Sequence, residues 1–167
     1  MPALLEIREI DNEEILFVGG RTHEGGGKKG KLYVKNLTTG AQKRCSINNG
    51  QYFGSSLAGN KAMSMTISNN GDYIYLARGQ SLFGFELSKD GNNLYCPTDG
   101  NWDYYINTGR NRVQSPSVQN SYTDDIKDIY SIKYSRDVNN KIYTTSKNSH
   151  VLQRISVNHT NFTASLD

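Results

Sequence analysis

The chain repeats one pattern of short strands and tight turns three times. In the first copy Leu4-Leu5-Glu6-Ile7-Arg8-Glu9-Ile10 leads through Asp11-Asn12-Glu13-Glu14 to Ile15-Leu16-Phe17-Val18-Gly19-Gly20. A glycine-rich loop, Leu32-Tyr33-Val34-Lys35-Asn36-Leu37, the turn Thr38-Thr39-Gly40 and Gln42-Lys43-Arg44-Cys45-Ser46-Ile47 complete it. The second copy runs Met63-Ser64-Met65-Thr66-Ile67, Ser68-Asn69-Asn70-Gly71-Asp72, Tyr73-Ile74-Tyr75-Leu76-Ala77, Leu82-Phe83-Gly84-Phe85-Glu86-Leu87, Lys89-Asp90-Gly91 and Asn93-Leu94-Tyr95-Cys96. In the third, Ile129-Tyr130-Ser131-Ile132-Lys133-Tyr134 passes through Asp137-Val138-Asn139-Asn140 to Ile142-Tyr143-Thr144-Thr145, followed by Val151-Leu152-Gln153-Arg154-Ile155 and Asn161-Phe162-Thr163-Ala164. Apolar and polar residues alternate over four to seven positions in each segment, the period of a pleated strand, and no segment holds the helical period beyond a turn or two. The repeat unit is therefore a four-stranded antiparallel meander, and the chain is all-β.

Composition agrees with strands joined by tight turns. Eleven Tyr and five Phe are spread between turn residues and only three Pro occur, a distribution that disordered chains rarely show. At 167 residues one domain can bury a core without disulfide help. The net charge of +3 is too balanced to demand nucleic acid or an anionic membrane. No window approaches the roughly 20 apolar residues of a membrane span, and the first residues lack the regions of a signal peptide, so the expected compartment is cytoplasmic or nuclear. Three glycosylation-type triplets, beginning at Asn36, Asn158 and Asn161, read as turn residues. Cys45 and Cys96 show neither zinc nor CxxC spacing and fall on the fourth strand of successive copies, where equivalent positions lie too far apart to bridge; reduced thiols are expected.

The segment from Ile67 to Ala77, followed by Leu82-Phe83-Gly84-Phe85-Glu86-Leu87-Ser88, resembles the two middle strands of a β-propeller blade of the WD-repeat or quinoprotein-like kind. Leu32 to Gly40 is similar to the third blade strand, with Lys35-Asn36 where a WD repeat carries Trp-Asp. No Gly-His or Trp-Asp dipeptide occurs, so the likeness is to the blade pattern and not to that family's signature. It implies an incomplete propeller of about three four-stranded antiparallel blades, at 4–47, 62–96 and 128–165; a β-sandwich is the alternative. Propellers close with typically 4 to 8 blades. Three cannot close a ring, and an open arc leaves two sheet faces that soluble monomers seldom expose. The arc is expected to finish by homodimerisation into a six-bladed ring, by a protein partner, or as one piece of a larger polypeptide.

Motifs for catalysis are absent. Gly25 to Lys31 has the G-x-x-x-x-G-K spacing of a phosphate loop, but Leu32 follows where Ser or Thr binds magnesium, and a strand follows where a helix is needed. It reads as a hairpin loop in which Lys28, Lys29 and Lys31 offer weak anion contact. His23, His150 and His159 form no metal-ligand pattern, and Asp124, Asp125 and Asp128 lack the other oxygens of a calcium loop. No cofactor or metal is expected, and no acid/base pair stands out. The intervals Ile15 to Ile74 and Ile74 to Ile142, 59 and 68 residues, exceed a blade repeat of about 40–50. The surplus forms inserts at 48–61 and 97–127, expected to be loops on one rim. They carry Tyr52 and Phe53, and Trp102, Tyr104, Tyr105, Arg110 and Arg112, the aromatic and arginine chemistry of interface anchors. The function expected is a non-catalytic protein-interaction or scaffolding module; the alternative is a glycan-binding protein such as a lectin, stacking Trp102 or Tyr105 on a sugar ring.

Overall fold

The structure is a computed structural model that describes residues 4–24, 27–45, 64–78, 81–97, 104–107, 129–146, 152–159 and 163–166. They form thirteen strands and no helix. Blade 1 is the meander β1 (Leu4–Ile10), β2 (Glu13–Glu24), β3 (Gly27–Asn36) and β4 (Gln42–Cys45). Blade 2 contains β5 (Ser64–Ile67), β6 (Tyr73–Arg78), β7 (Ser81–Lys89), β8 (Tyr95–Pro97) and β9 (Tyr104–Asn107). Blade 3 is β10 (Ile129–Tyr134), β11 (Lys141–Ser146), β12 (Leu152–Asn158) and β13 (Thr163–Leu166). The described residues are thus all-β, three antiparallel blade-like sheets packed in series.

Turn chemistry sets the register. Asp11 and Asn12 hold φ of 54° and 63°, the paired left-handed conformation of a two-residue hairpin turn, which brings Ile10 opposite Glu13. Asn36 closes the β3–β4 turn with its side-chain oxygen, which accepts the amides of Thr38 and Thr39 at 2.9 and 3.0 Å. Asp90 does the same between β7 and β8, accepting the amides of Asn92 and Leu94. Gly71 sits at φ 78° where a Cβ would come within 2.7 Å of Ile10 Cδ1. Only glycine allows both that conformation and the close approach of blade 1.

Two apolar layers hold the blades together. Ile10, Ile15, Phe17, Leu32, Val34 and Cys45 of blade 1 pack on Met65, Ile67, Ile74, Leu76, Phe85 and Leu87 of blade 2. The opposite face of blade 2 presents Tyr75, Ala77 and Leu82 to Ile132, Tyr134, Ile142, Ile155 and Val157 of blade 3. Blade 2 is buried on both faces, which its near-continuous apolar run Tyr73 to Ala77 requires. Polar joints add register between blades. Thr66 Oγ1 accepts the Tyr134 amide at 3.0 Å, and Glu13 Oε2 accepts side-chain amides of both Asn36 and Asn93 at 2.8 Å.

Three expectations are corrected. Cys45 and Cys96 are not free thiols: they form a disulfide with Cα atoms 5.4 Å apart. The positions are not equivalent, because β8 pairs only with Leu87–Lys89 at the far end of β7 and so lies against blade 1, where Cys45 points into the shared core. The outer position of blade 2 is divided. β8 occupies one end of β7, and β9 pairs with Ser81–Gly84 at the other, so part of the 97–127 insert is strand and not loop. The glycine-rich segment after Gly20 is likewise ladder: β2 and β3 stay paired from Ile15 opposite Asn36 out to Glu24 opposite Gly27.

Candidate interaction face

Alternation along each strand of blade 1 sends one set of side chains to blade 2 and the other outward. The outward set is in register: Leu5 pairs with Val18 and Ile7 with Leu16, Val18 with Tyr33 and Leu16 with Lys35, and Tyr33 with Arg44. Leu5 is 60% exposed, Ile7 45% and Tyr33 40%, while Leu16 and Val18 are half-buried. A groove of about 540 Å³ runs along this face past Leu16, Val18, Tyr33 and Arg44. Glu9 and Glu14 lie at its β1–β2 end, and Lys35 and Arg44 on β3 and β4.

The repeat explains why this face is apolar. Leu16 and Val18 occupy on β2 the places that Ile74 and Leu76 occupy on β6, and Ile142 and Thr144 on β11; this corrects the match of Ile15 to Ile74 and Ile142 by one residue, because the amides of Leu37, Leu87 and Val157 bond the equivalent carbonyls of Glu14, Asp72 and Asn140. Those partners are buried, in each case against the preceding blade. The outer face of blade 1 therefore matches a blade-to-blade surface, and none of the described strands forms a sheet on it. The other free face, on blade 3, is different. It carries Ser131, Lys133, Lys141, Tyr143, Thr145 and Arg154, with Leu152 as the large aliphatic group among the described residues. The two end faces thus differ: blade 1 is apolar outward, whereas at blade 3 the described outward positions of β10 to β12, Leu152 apart, are charged or hydroxylic.

The inner strands bring a buried charge cluster together. Glu6 and Arg8, two apart on β1 and so on one face, pair at 2.9 Å with each side chain only 5% exposed. Lys133 Nζ reaches Glu6 at 2.5 Å from blade 3. Arg8 also donates to Asn69 Oδ1 at 3.2 Å and to Thr66 Oγ1 at 3.4 Å. Burial lowers the Arg8 pKa, opposed by the adjacent Glu6 carboxylate. The cluster ties all three blades at the axis. A cleft beside it is lined by Arg8, Asn69 and Arg136 together with Glu9, Asp11 and Glu14, a mixed set with no single ligand charge.

A second polar cluster closes the blade 2–blade 3 joint. Tyr73 stacks on the His159 ring at 4.0 Å between centroids, and Tyr75 Oη lies 2.5 Å from His159 Nε2. Burial holds the His159 pKa below its ordinary value, with Asp72 opposing. The unfolded chain therefore takes the proton more readily than the folded one. Stability from this site is complete above the unfolded pKa of about 6.5 and declines as pH falls from there toward the lower folded value. Between about pH 7.5 and 5 the urea midpoint should fall more steeply for the wild type than for His159→Gln. Equal slopes would show that His159 titrates as it does when unfolded.

Of the residues singled out from sequence, Tyr52, Phe53, Trp102, Arg110 and Arg112 lie outside the described residues, as does most of the rim expected to unite the two inserts. Tyr104 and Tyr105 are in β9, opposite Gly84 and Phe83. Lys28, Lys29 and Lys31 are in β3, opposite His23, Thr22 and Gly20, and not in a loop. Leu5, Ile7, Leu16, Val18 and Tyr33 were legible as strand residues but not as a site. The signal was the unbroken run Ile15-Leu16-Phe17-Val18, which asks for cover on both faces of blade 1.

No protein-family model matches the sequence, and no curated protein does. Among solved structures, Kluyveromyces lactis Hsv2 is similar at a TM-score of 0.47 and 11% identity, over 96% of this chain and 44% of that one. A chain of a structure described as the mitotic checkpoint complex is similar at a TM-score of 0.32 and 8% identity, over 96% of this chain and 61% of its own length. The chain spans less than two thirds of either. The architecture rests on the strand pairing and blade packing above and not on these likenesses.

Proposed function

We propose that this chain is a non-catalytic protein-interaction module, an incomplete propeller whose outer blade 1 face is covered by β-structure of another molecule. The observation that supports this reading is the register of Leu5, Ile7, Leu16, Val18 and Tyr33 on an uncovered face whose counterparts in blades 2 and 3 are buried. Aligned sheets pack about 10 Å apart with interdigitating side chains, and this face offers such a surface. The insert residues Trp102, Arg110 and Arg112 have the composition of interface anchors and are proposed as a second contact. The Cys45–Cys96 bridge favours an oxidising compartment over the cytoplasm or nucleus.

The test uses 8-anilinonaphthalene-1-sulfonate, a dye that binds exposed apolar surface. Ile7→Lys and Val18→Lys place charge on the face at positions that are not fully buried, so the thermal midpoint should hold within about the shift of an ordinary surface substitution. Dye fluorescence should drop by half or more, on the order expected when a main apolar patch is broken. Equal dye binding by wild type and both variants would place the apolar surface elsewhere and overturn the reading.

A further inference from the structure

We infer that the β2–β3 hairpin of blade 1 is a binding site for a sulfated polysaccharide. The sequence concentrates its charge there. Between Gly20 and Lys31 stand Arg21, Lys28, Lys29 and Lys31 against Glu24, a net +3 that equals the net charge of the whole chain. The rest of the chain is therefore neutral in sum. Strand pairing turns this basic run into a ribbon. β1 follows β2 only as far as Gly19, opposite Leu4, and β4 follows β3 only as far as Leu32, opposite Cys45. Beyond those positions β2 and β3 pair with each other alone among the described strands, from Gly20 opposite Lys31 to Glu24 opposite Gly27. The register puts Arg21, His23 and Lys28 on one face of the ribbon, and Lys29 and Lys31 on the other. Lys28 to Lys31 occupy about 10 Å of β3, along an edge that no described strand covers.

Cations on both faces of one ribbon decide the class of ligand. A lipid surface is flat and meets a single face. A linear polyanion carries charge all round its axis and can run along the β3 edge, where the two faces meet. Nucleic acids and sulfated polysaccharides are both of this kind, and both are met by short lysine- and arginine-rich runs. The Cys45–Cys96 bridge favours an oxidising compartment, where sulfated polysaccharides are the prevalent polyanion and nucleic acids are not. Gly20, Gly27 and Gly30 lie among the cations and leave backbone that a chain of sugar rings can approach closely.

The experiment measures the affinity of the full chain for heparin over a salt series, with duplex DNA as the competing polyanion. Wild type should bind heparin near physiological salt and more tightly than it binds the duplex. Lys28→Gln, Lys29→Gln and Lys31→Gln combined should weaken heparin binding about tenfold or more and lower the slope of log affinity on log salt by about two to three, a little under one for each cation removed. The thermal midpoint should hold, because these positions stand outside the four-stranded part of the blade. Lys89→Gln, Lys133→Gln and Arg136→Gln combined remove the same charge from blades 2 and 3 and should change the affinity by no more than about twofold, since salt screens distant charges. An equal loss in the two combined variants would reduce the effect to overall charge and overturn the site. Duplex DNA bound as tightly as heparin would overturn the polysaccharide in favour of nucleic acid, and no heparin binding at physiological salt would overturn the inference altogether.

Discussion

Replacing Glu6 with alanine should destabilise the fold by about 3–5 kcal/mol, the usual consequence of leaving one member of a buried ion pair alone. Arg8 is as buried as Glu6, and without the carboxylate its guanidinium keeps only the neutral oxygens of Asn69 and Thr66. Its Nε has no hydrogen-bond partner, so little remains to compensate the charge. Lys133 also contacts Glu6, but its side chain is 56% exposed and returns to water. Lys133→Ala should therefore shift stability by no more than about 1 kcal/mol. Replacing Glu6 and Arg8 together with leucine should cost much less than Glu6→Ala, because no buried charge is left. Urea denaturation of the three variants checks this. A Glu6→Ala variant as stable as Lys133→Ala would mean that the axis cluster is hydrated and does not tie the blades.

Removal of the Cys45–Cys96 bridge is the second large effect. The bridge closes a loop with a sequence separation of 51 and fastens the outer strand of blade 1 to the short β8 of blade 2. The entropy of closing a loop of that length corresponds to about 4 kcal/mol, and measured losses typically fall at 2–4 kcal/mol. The Cys45→Ala, Cys96→Ala double variant should lose stability in that range by urea denaturation, and reduction with dithiothreitol should produce a comparable loss in the wild type alone. Cys45 is buried in the layer between the blades, so substitution adds a small packing deficit that reduction does not. If reduction left the wild type unchanged, the bridge would be dispensable and blade 1 would be held by its apolar layer alone.

The meanders were legible because period-two alternation and turn residues are local signals. Asp11-Asn12, Asn36 with Gly40, and Gly71 specify their hairpins wherever the blades end up. What was not legible depends on distances between repeats. Cys45 and Cys96 look like matching places when the repeat is read from sequence, but the displacement of β8 to one end of β7 makes them inequivalent and brings their Cα atoms within bridging reach. Nothing in the residues around Tyr95 announces that displacement. Tyr104 and Tyr105 sit among turn-like residues, and their recruitment to β7 reflects the edge that β8 leaves unpaired. Likewise Glu6 and Arg8 look like the solvated side of an amphipathic strand. They are buried because three inner strands converge on them, a tertiary effect that overrides local pattern.

The difference between the two end faces was partly visible. β2 carries Ile15-Leu16-Phe17-Val18, apolar on both faces, whereas β11 carries Ile142-Tyr143-Thr144-Thr145 between Lys141 and Ser146. Strand composition thus separates a blade that requires cover from one that can face water. The inserts stand out in the sequence because aromatics and arginines cluster there. The face formed by single residues from four strands becomes apparent only once register places Leu5 beside Val18 and Val18 beside Tyr33.

Light scattering and dye fluorescence measured together over a dilution series should show dye bound wherever the mass is 18.7 kDa, because the blade 1 face is then uncovered. A chain that remains at 18.7 kDa across the series and excludes the dye throughout would contradict an open blade face and point instead to a self-contained β-sandwich.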